Sequence, residues 1–291
     1  MPERASALYG VGVPPGATEF AGQVAVITGA GSGIGRSTAV LLARLGAAVH
    51  AADLDEQSAQ AVAAQIEADG GRAAAHSVDV TDPAAVEAFA EGVFEAEGAV
   101  DVLHNNAGIG HAGPVDETTL EEWQQVLGVN LMGVVHGIHC FVPRMLRQGR
   151  PGHVVNTASM AGLVAVADMA PYCTSKHAVV GLSESLNAEL APRGIHVSAI
   201  CPGLINTPIV DKAYLEGELA GQRERIQRFY RRFGSSPDVV AEAVADAVRR
   251  KKMIRTVPRH HVMLNWAVRR ISPRAAQPLA RVSTRFISGR G

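Results

Sequence analysis

Aromatic side chains make up only 4% of the 291 residues, and cysteine occurs three times. Cys140, Cys173 and Cys201 stand far apart and form no metal-ligand spacing. An odd, small number argues against a disulfide framework and for a reducing compartment, so a cytoplasmic location is expected. No run of ~20 apolar residues is evident, so no membrane span is expected. No apolar core follows Met1-Pro2-Glu3-Arg4, so an export signal is not expected either. The eleven histidines make no ligand pattern. His260 and His261 are adjacent and cannot share a helical face, and His136 and His139 lack a third ligand. No metal site is expected.

Acidic residues are missing from one part of the chain. Residues 1–246 hold 15 Lys and Arg against 28 Asp and Glu, whereas residues 247–291 hold 12 Lys and Arg and no acid. Such asymmetry can mark a tail that meets an anionic partner. Residues 259–291 are read as a basic C-terminal extension. Within it, Val262 to Ile271 is a short apolar stretch with basic edges. It suits either weak contact with an anionic membrane surface or a helix packed on the acidic body. Nucleic acid is not expected as a partner, because the tail lacks interleaved aromatics beyond Trp266 and Phe286.

What remains is regular. Residues 1–20 lack periodicity and read as an irregular arm. Val24 to Thr28 is a short apolar run, as expected of a strand buried on both faces. It runs into Gly29-Ala30-Gly31-Ser32-Gly33-Ile34-Gly35, then a helix from Arg36 to Leu45 and a strand from Ala47 ending at Asp53. Further strands are expected at 72–78, 100–104, 153–157, 195–200 and 253–257. Helices are expected at 58–69, 83–97, from Thr118 or Thr119 through Met145, and from Tyr172 to Ala191. Repeated βα alternation predicts an α/β fold: a single Rossmann-type, doubly wound parallel sheet of about seven strands with helices on both faces.

The first βαβ unit suits a dinucleotide. Glycines let backbone approach a pyrophosphate, and a helix N-terminus offers free N–H groups. Asp53 lies 24 residues after Gly29, near the ~20 expected of an acid that accepts the ribose hydroxyls. A carboxylate there repels a 2′-phosphate, so NAD(H) is expected in preference to NADP(H). Arg36 near the phosphates is a counterweight to that preference, and Asp53 as a simple helix cap is the competing reading. Further on, Pro171 opens a helix on which Tyr172 and Lys176, four residues apart, share a face. A phenol has a pKa of ~10 and is a weak base at neutral pH. A nearby cation favours phenolate, so the pair suits proton transfer.

Together these motifs resemble the short-chain dehydrogenase/reductase family. The resemblance rests on Thr28 to Gly35, Asp79-Val80, Asn105-Asn106-Ala107-Gly108, Asn130, Ser159, Tyr172 with Lys176, and Pro202-Gly203 with Thr207. It covers roughly residues 20–258. The resemblance implies a catalytic domain over 21–258, with a mobile lid over substrate at about 204–235. It implies Tyr172 as acid/base and Lys176 as the group that lowers its pKa and binds the nicotinamide ribose. Ser159 would hold the substrate oxygen, and Asn130 would anchor a relay water. Gly29, Gly31, Ser32, Gly33, Ile34, Gly35 and Asp53 would bind the cofactor. So would Asp79 through the adenine amino group, Val80 by packing the adenine, and Asn106, Ala107 and Gly108 along the adenine ribose. Pro202, Gly203, Thr207 and the Ile205 backbone would hold the nicotinamide. Asn105 is read as structural, bridging strands.

The implied activity is interconversion of a small-molecule secondary alcohol and its ketone. Apolar flanks at 160–169 favour a bulky substrate such as a steroid, retinoid, terpenoid or lipid. A dehydratase or epimerase, and a non-catalytic dinucleotide sensor, are the rival readings. A homodimer or homotetramer is expected through the helices of Asn130 and Tyr172.

Overall fold

The computed structural model describes residues 19–211, 213–272 and 274–276. Most of the expected arm and the end of the basic extension therefore lie outside the described residues. The elements, in chain order, are β1 (Val24–Thr28), α1 (Gly33–Arg44), β2 (Ala48–Asp53), α2 (Glu56–Ala68), β3 (Arg72–Ser77), α3 (Pro83–Glu97), β4 (Val102–Asn105) and β5 (His111–Ala112). Then come α4 (Leu120–Leu127), α5 (Gly133–Arg147), β6 (Gly152–Thr157), α6 (Ala170–Leu190), β7 (Ile195–Pro202), β8 (Tyr214–Leu215), α7 (Arg223–Phe233), α8 (Asp238–Arg250), β9 (Ile254–Val257) and α9 (Arg259–Ile271).

Seven strands form one parallel sheet in the order β3-β2-β1-β4-β6-β7-β9. The apolar strands have no polar face because both sides are covered. Ala25 and Ile27 of β1 pack with α1, α2 and α8. Val24 and Val26, one residue out of phase, pack with α3 and α5 on the opposite side. Full burial of a side chain such as Ile27 contributes about 1.5–3 kcal/mol. Strand order reverses between β1 and β4, which opens a crevice beyond the strand C-termini where ligands bind in such sheets.

Local signals set several boundaries. Asp82 accepts from the Ala84 N–H (2.9 Å) and Pro83 opens α3, a cap that removes one unpaired donor. Thr119 and Glu122 cap α4 reciprocally: the Glu122 carboxylate accepts from the Thr119 N–H and the Thr119 hydroxyl from the Glu122 N–H. The single long helix expected through Met145 is instead α4 and α5 joined by a π-helical turn at Gly128–Met132. By length and composition alone the run Leu120–Arg147 is long and apolar enough to cross a membrane, although Glu121, Glu122, Arg144 and Arg147 interrupt it. Its Phe141, Val142 and Met145 are buried against the sheet, as in a core helix.

The segment after β7 leaves the sheet and returns to it. Ile205 pairs with Ser235, the Ser235 N–H donates to Leu204 O (3.0 Å), and the Asn206 N–H donates to Ser235 O (2.9 Å). Between these zipped ends, β8 pairs with β5. Arg223 fastens the excursion by donating to the carbonyls of Val210, Asp211 and Ala213. A small apolar cluster of Val210, Leu215, Leu219 and Ile226, with Tyr230 packed against it, fills its interior.

Candidate active site

The nucleotide end is shaped by what its glycines leave out. Gly29 has φ +63°, which favours glycine, and a Cβ there would lie 2.8 Å from the Ala107 Cα. Helix α1 begins at Gly33 with no side-chain cap from Ser32 and no acid in its first turn. Its leading N–H groups are thus left for an anion. Ile34 packs on the core behind them. Asp53, at the end of β2, accepts from the Gly31 N–H (2.8 Å) and the Asp55 N–H (3.1 Å). Arg36 turns away to donate to Gln65 Oε1 (2.7 Å). Across the crevice, Thr207 stands over the helix start, 3.1 Å from where a Gly33 Cβ would be.

The structure relocates some expected contacts. The Val80 methyls lie against Gly133, 2.8 Å from where its Cβ would be. The Val80 side chain is thus packed against the start of α5. The Val80 carbonyl accepts from His136 Nδ1 (2.8 Å), and Asp79, exposed, accepts from the Thr81 N–H (2.8 Å). Gly108 lies against Asn130 and Lys176: a Cβ there would be 3.1 Å from Asn130 Oδ1 and 3.5 Å from Lys176 Nζ. Asn106 ties strands together, donating to Thr28 O (3.1 Å) and Gly29 O (3.2 Å) and accepting from the Thr157 hydroxyl (3.1 Å). The Ala107 N–H donates to the Thr28 hydroxyl (3.1 Å). Asn105 bridges β4 to β6 through Asn156 Oδ1 (2.9 Å), as its reading requires. At the end of β7 the Gly203 N–H donates to Val257 O (2.8 Å), fixing the Pro202-Gly203 turn. The Ile205 side chain is buried in the core, leaving its backbone for the crevice.

The proton-transfer residues converge at the same sheet end. Tyr172 and Lys176 occupy the first turns of α6, and Pro171 sits where proline costs no hydrogen bond. Ser159, beyond β6, accepts from the Ala161 N–H (3.1 Å) and stands close enough to the Tyr172 hydroxyl to favour its ionisation. Lys176 is buried, donates to Thr157 O (2.9 Å), and places Nζ 5.8 Å from the centre of the Tyr172 ring. Asn130, in the π turn, is also buried. Its Oδ1 accepts from the Ile109 N–H (2.8 Å), and its Nδ2 donates to Ile109 O (3.0 Å) and the Ser175 hydroxyl (3.2 Å). Ser175 in turn donates to Tyr172 O (2.8 Å). Sequence reading missed Ser175, although its place between Tyr172 and Lys176 was the available signal. The Asn130 side chain is thus fully engaged in positioning α6.

Burial governs the ionisation of this group. It pushes the Tyr172 phenol up, although Ser159 acts the other way. The Lys176 ammonium, expected to lower it, is directed at the Thr157 carbonyl (2.9 Å). Burial holds Lys176 itself down to about 8. The folded chain therefore sheds this proton between pH 8 and 10.5, where the unfolded chain keeps it. Stability contributed by the site rises with pH through that window. The unfolding free energy of wild type minus that of Lys176→Met is expected to grow from pH 8 toward 10.5 in denaturant titrations. A flat or falling difference would show that the lysine is not buried as a cation.

The cysteines are inert by the same physics. Burial raises Cys140 to about 11 and Cys201 to about 12, and raises Cys173. Among the described residues, no three His, Cys, Asp or Glu are grouped to hold a metal ion. The excursion after β7 brings Tyr230 of α7 near enough to Tyr172 to oppose its ionisation.

Comparison with known proteins agrees with this geometry. The short chain dehydrogenase family model matches residues 23–216. A probable oxidoreductase, EphD, of Mycobacterium tuberculosis H37Rv is 41% identical over 288 residues, covering 97% of this chain and 48% of that protein. The chain thus spans about half the length of that relative. Cyclohexanol dehydrogenase of Acinetobacter sp. strain SE19 is 41% identical over 193 residues, covering 66% of this chain and 76% of that protein. A crystal structure of a Burkholderia phymatum short-chain dehydrogenase/reductase in complex with NAD superposes with a TM-score of 0.83 at 34% identity, over 90% of this chain and 96% of that one. Solved relatives include complexes with NAD and with NADP. With the motifs, the sheet order and the site in agreement, the chain belongs to the short-chain dehydrogenase/reductase family.

Proposed function

We propose that the chain is an NAD(H)-dependent oxidoreductase that interconverts a secondary alcohol and a ketone. The observation that carries this reading is the convergence of Ser159, Tyr172 and the buried Lys176 at one end of the sheet, with Lys176 Nζ 5.8 Å from the centre of the Tyr172 ring. The crevice fits a dinucleotide: the α1 N-terminus is uncapped, Gly29 and Gly35 leave close approaches that a Cβ would fill, and Asp53 ends β2. Gly29 to Gly35 and Thr207 would hold the phosphates. Asp53 would take the adenosine ribose hydroxyls, Asp79 and the Val80 backbone the adenine, and Asn106 with Ala107 the floor. Lys176 and Gly108 would meet the nicotinamide ribose, and Pro202, Gly203 and the Ile205 backbone the nicotinamide. When bound, NAD supplies the hydride acceptor and a positive ring charge.

In oxidation, Tyr172 takes the proton of the substrate hydroxyl. Ser159 donates to the same oxygen as charge develops on it. Lys176 stabilises the phenolate electrostatically. The π turn takes backbone out of the regular i→i−4 ladder, so the Asn130 carbonyl, with its amide engaged, is the group to hold a relay water. Reduction reverses these steps. Apolar residues 160–167 and Tyr230 favour a bulky apolar substrate over a small diol or sugar. Assembly as a homodimer or homotetramer through α5 and α6 belongs to the same reading.

The test is a panel of secondary alcohols of graded bulk, with NAD or NADP, followed at 340 nm in wild type and Asp53→Ala. Turnover with NAD above NADP is expected, with bulky apolar alcohols favoured. Asp53→Ala should weaken NAD ~10-fold, as loss of a charged hydrogen-bond partner implies, and narrow the gap to NADP. Absence of turnover across the panel would overturn the reading. An unchanged cofactor preference would reduce Asp53 to its loop bonds with Gly31 and Asp55.

A further inference from the structure

Helix α9 belongs to the basic extension and has no part in the mechanism above, yet it reaches the catalytic loop. Val262 is fully buried, and Trp266 packs on a cluster that includes Ala158, Leu163, Val179 and Val180. These residues form the back of the loop between Ser159 and Tyr172 and of α6 itself. From the next turn of α9, Arg269 Nη1 donates to Leu163 O and to His177 Nε2 (2.7 Å).

Each acceptor needs that donor. Leu163 follows the short helical turn Met160–Gly162, so its carbonyl lies past the end of a helix that does not continue and needs a partner from outside. His177 Nδ1 lies 2.9 Å from Cys173 O. A carbonyl only accepts, so Nδ1 carries the proton and Nε2 is left as an acceptor for Arg269. The two acceptors flank a very close contact: a Cβ on Gly162 would lie 2.5 Å from Lys176 O. One guanidinium therefore spans both sides of the seam where the loop carrying Ser159 meets the helix carrying Tyr172 and Lys176.

We propose that Arg269 is a positioning residue: it clamps the 159–169 loop onto α6 and so fixes Ser159 relative to Tyr172. The inference rests on the proposed function for its kinetic consequence, but the clamp is a property of the fold. The extension thus acts as a brace on the substrate side, and its charge is used inward at this position.

The experiment compares full-length wild type, Arg269→Ala, Arg269→Lys and Arg270→Ala. Arg270 stacks over Trp266 and removes the same charge without touching loop or helix acceptors. Hydrogen–deuterium exchange of peptides spanning 160–169 is read first, against peptides of β1 and α1. Exchange in 160–169 is expected to rise ~10-fold in Arg269→Ala, the scale of losing one charge-assisted hydrogen bond, with β1 and α1 unchanged. Arg269→Lys should restore it in part and Arg270→Ala should leave it alone. With an alcohol found in the panel, KM for the alcohol should rise in Arg269→Ala while KM for NAD stays constant.

Unchanged exchange in 160–169, or an equal effect from Arg270→Ala, would overturn the clamp. Should Arg269→Ala not fold, His177→Phe removes one of the two acceptors and is read by the same exchange, with the same outcomes for and against. If wild type oxidises no alcohol, the proposed function fails, whereas the exchange measurement still decides the clamp.

Discussion

Replacing Tyr172 with phenylalanine is expected to lower turnover by ~10²–10⁴-fold, the range of general acid–base catalysis, while NADH binding followed by fluorescence stays unchanged. The ring remains and only the hydroxyl is lost, so the packing of α6 and the Lys176–Thr157 bond persist. Ser159 keeps its bond from the Ala161 N–H. The physical case lies in the opposed shifts of the pair. Burial holds the phenol protonated and brings the ammonium down to about 8. At pH 7 Lys176 is therefore still charged, and Tyr172 is a strongly held acid until further positive charge arrives beside it. An oxidised nicotinamide held beside Tyr172 would supply that charge, so under the proposed function the phenol would become a base only with a hydride acceptor bound. A phenylalanine variant that turns over within ~10-fold of wild type would mean that another group moves the proton, since a positioned acid or base contributes more than that.

Much of this was legible in the sequence because its signals are local. The strands are apolar runs bounded by turn residues, and burial on both faces is what removes their alternation. Asp82-Pro83 and Pro171 declare helix starts without reference to anything distant. Asn105 as a bridge between strands came with the family resemblance, and its bond to Asn156 agrees with it. What escaped is tertiary. The pairing of β5 with β8 involves two residues on each side, too short for any period. Helix α8 had gone unassigned between the lid and the last strand. The Asn106 network and the neighbourhood of Gly108 depend on which strands become adjacent after the crossover. The π turn at Asn130 has no composition of its own. Helical spacing gives the proximity of Tyr172 to Lys176 but not the desolvation that raises the phenol and lowers the ammonium, which the whole sheet edge sets.

Gly35→Ala is expected to destabilise the chain by about 1–3 kcal/mol, the range for overpacking, and to weaken NADH ~10–100-fold, which is that same range read as affinity. The added Cβ would lie 2.1 Å from Gly29 O and 2.7 Å from Asn106 Nδ2. The first is backbone and cannot rotate aside, so the phosphate turn must open. That displacement does not stay local. Gly29 O is one of two carbonyls bonded by Asn106 Nδ2, and Asn106 Oδ1 accepts from the Thr157 hydroxyl. Thr157 O is the acceptor of Lys176 Nζ. One methyl group thus acts on the Gly29–Gly35 turn directly and on Lys176 through three hydrogen-bonded residues. Gly92→Ala, within α3 with no atom near its Cβ position, is the matched control. It should stabilise by about 0.4–1 kcal/mol through the unfolded chain and leave NADH binding alone. Equal behaviour of the two alanines in calorimetry and fluorescence titration would show that the Gly35 turn tolerates widening, and that cofactor affinity does not depend on its close packing.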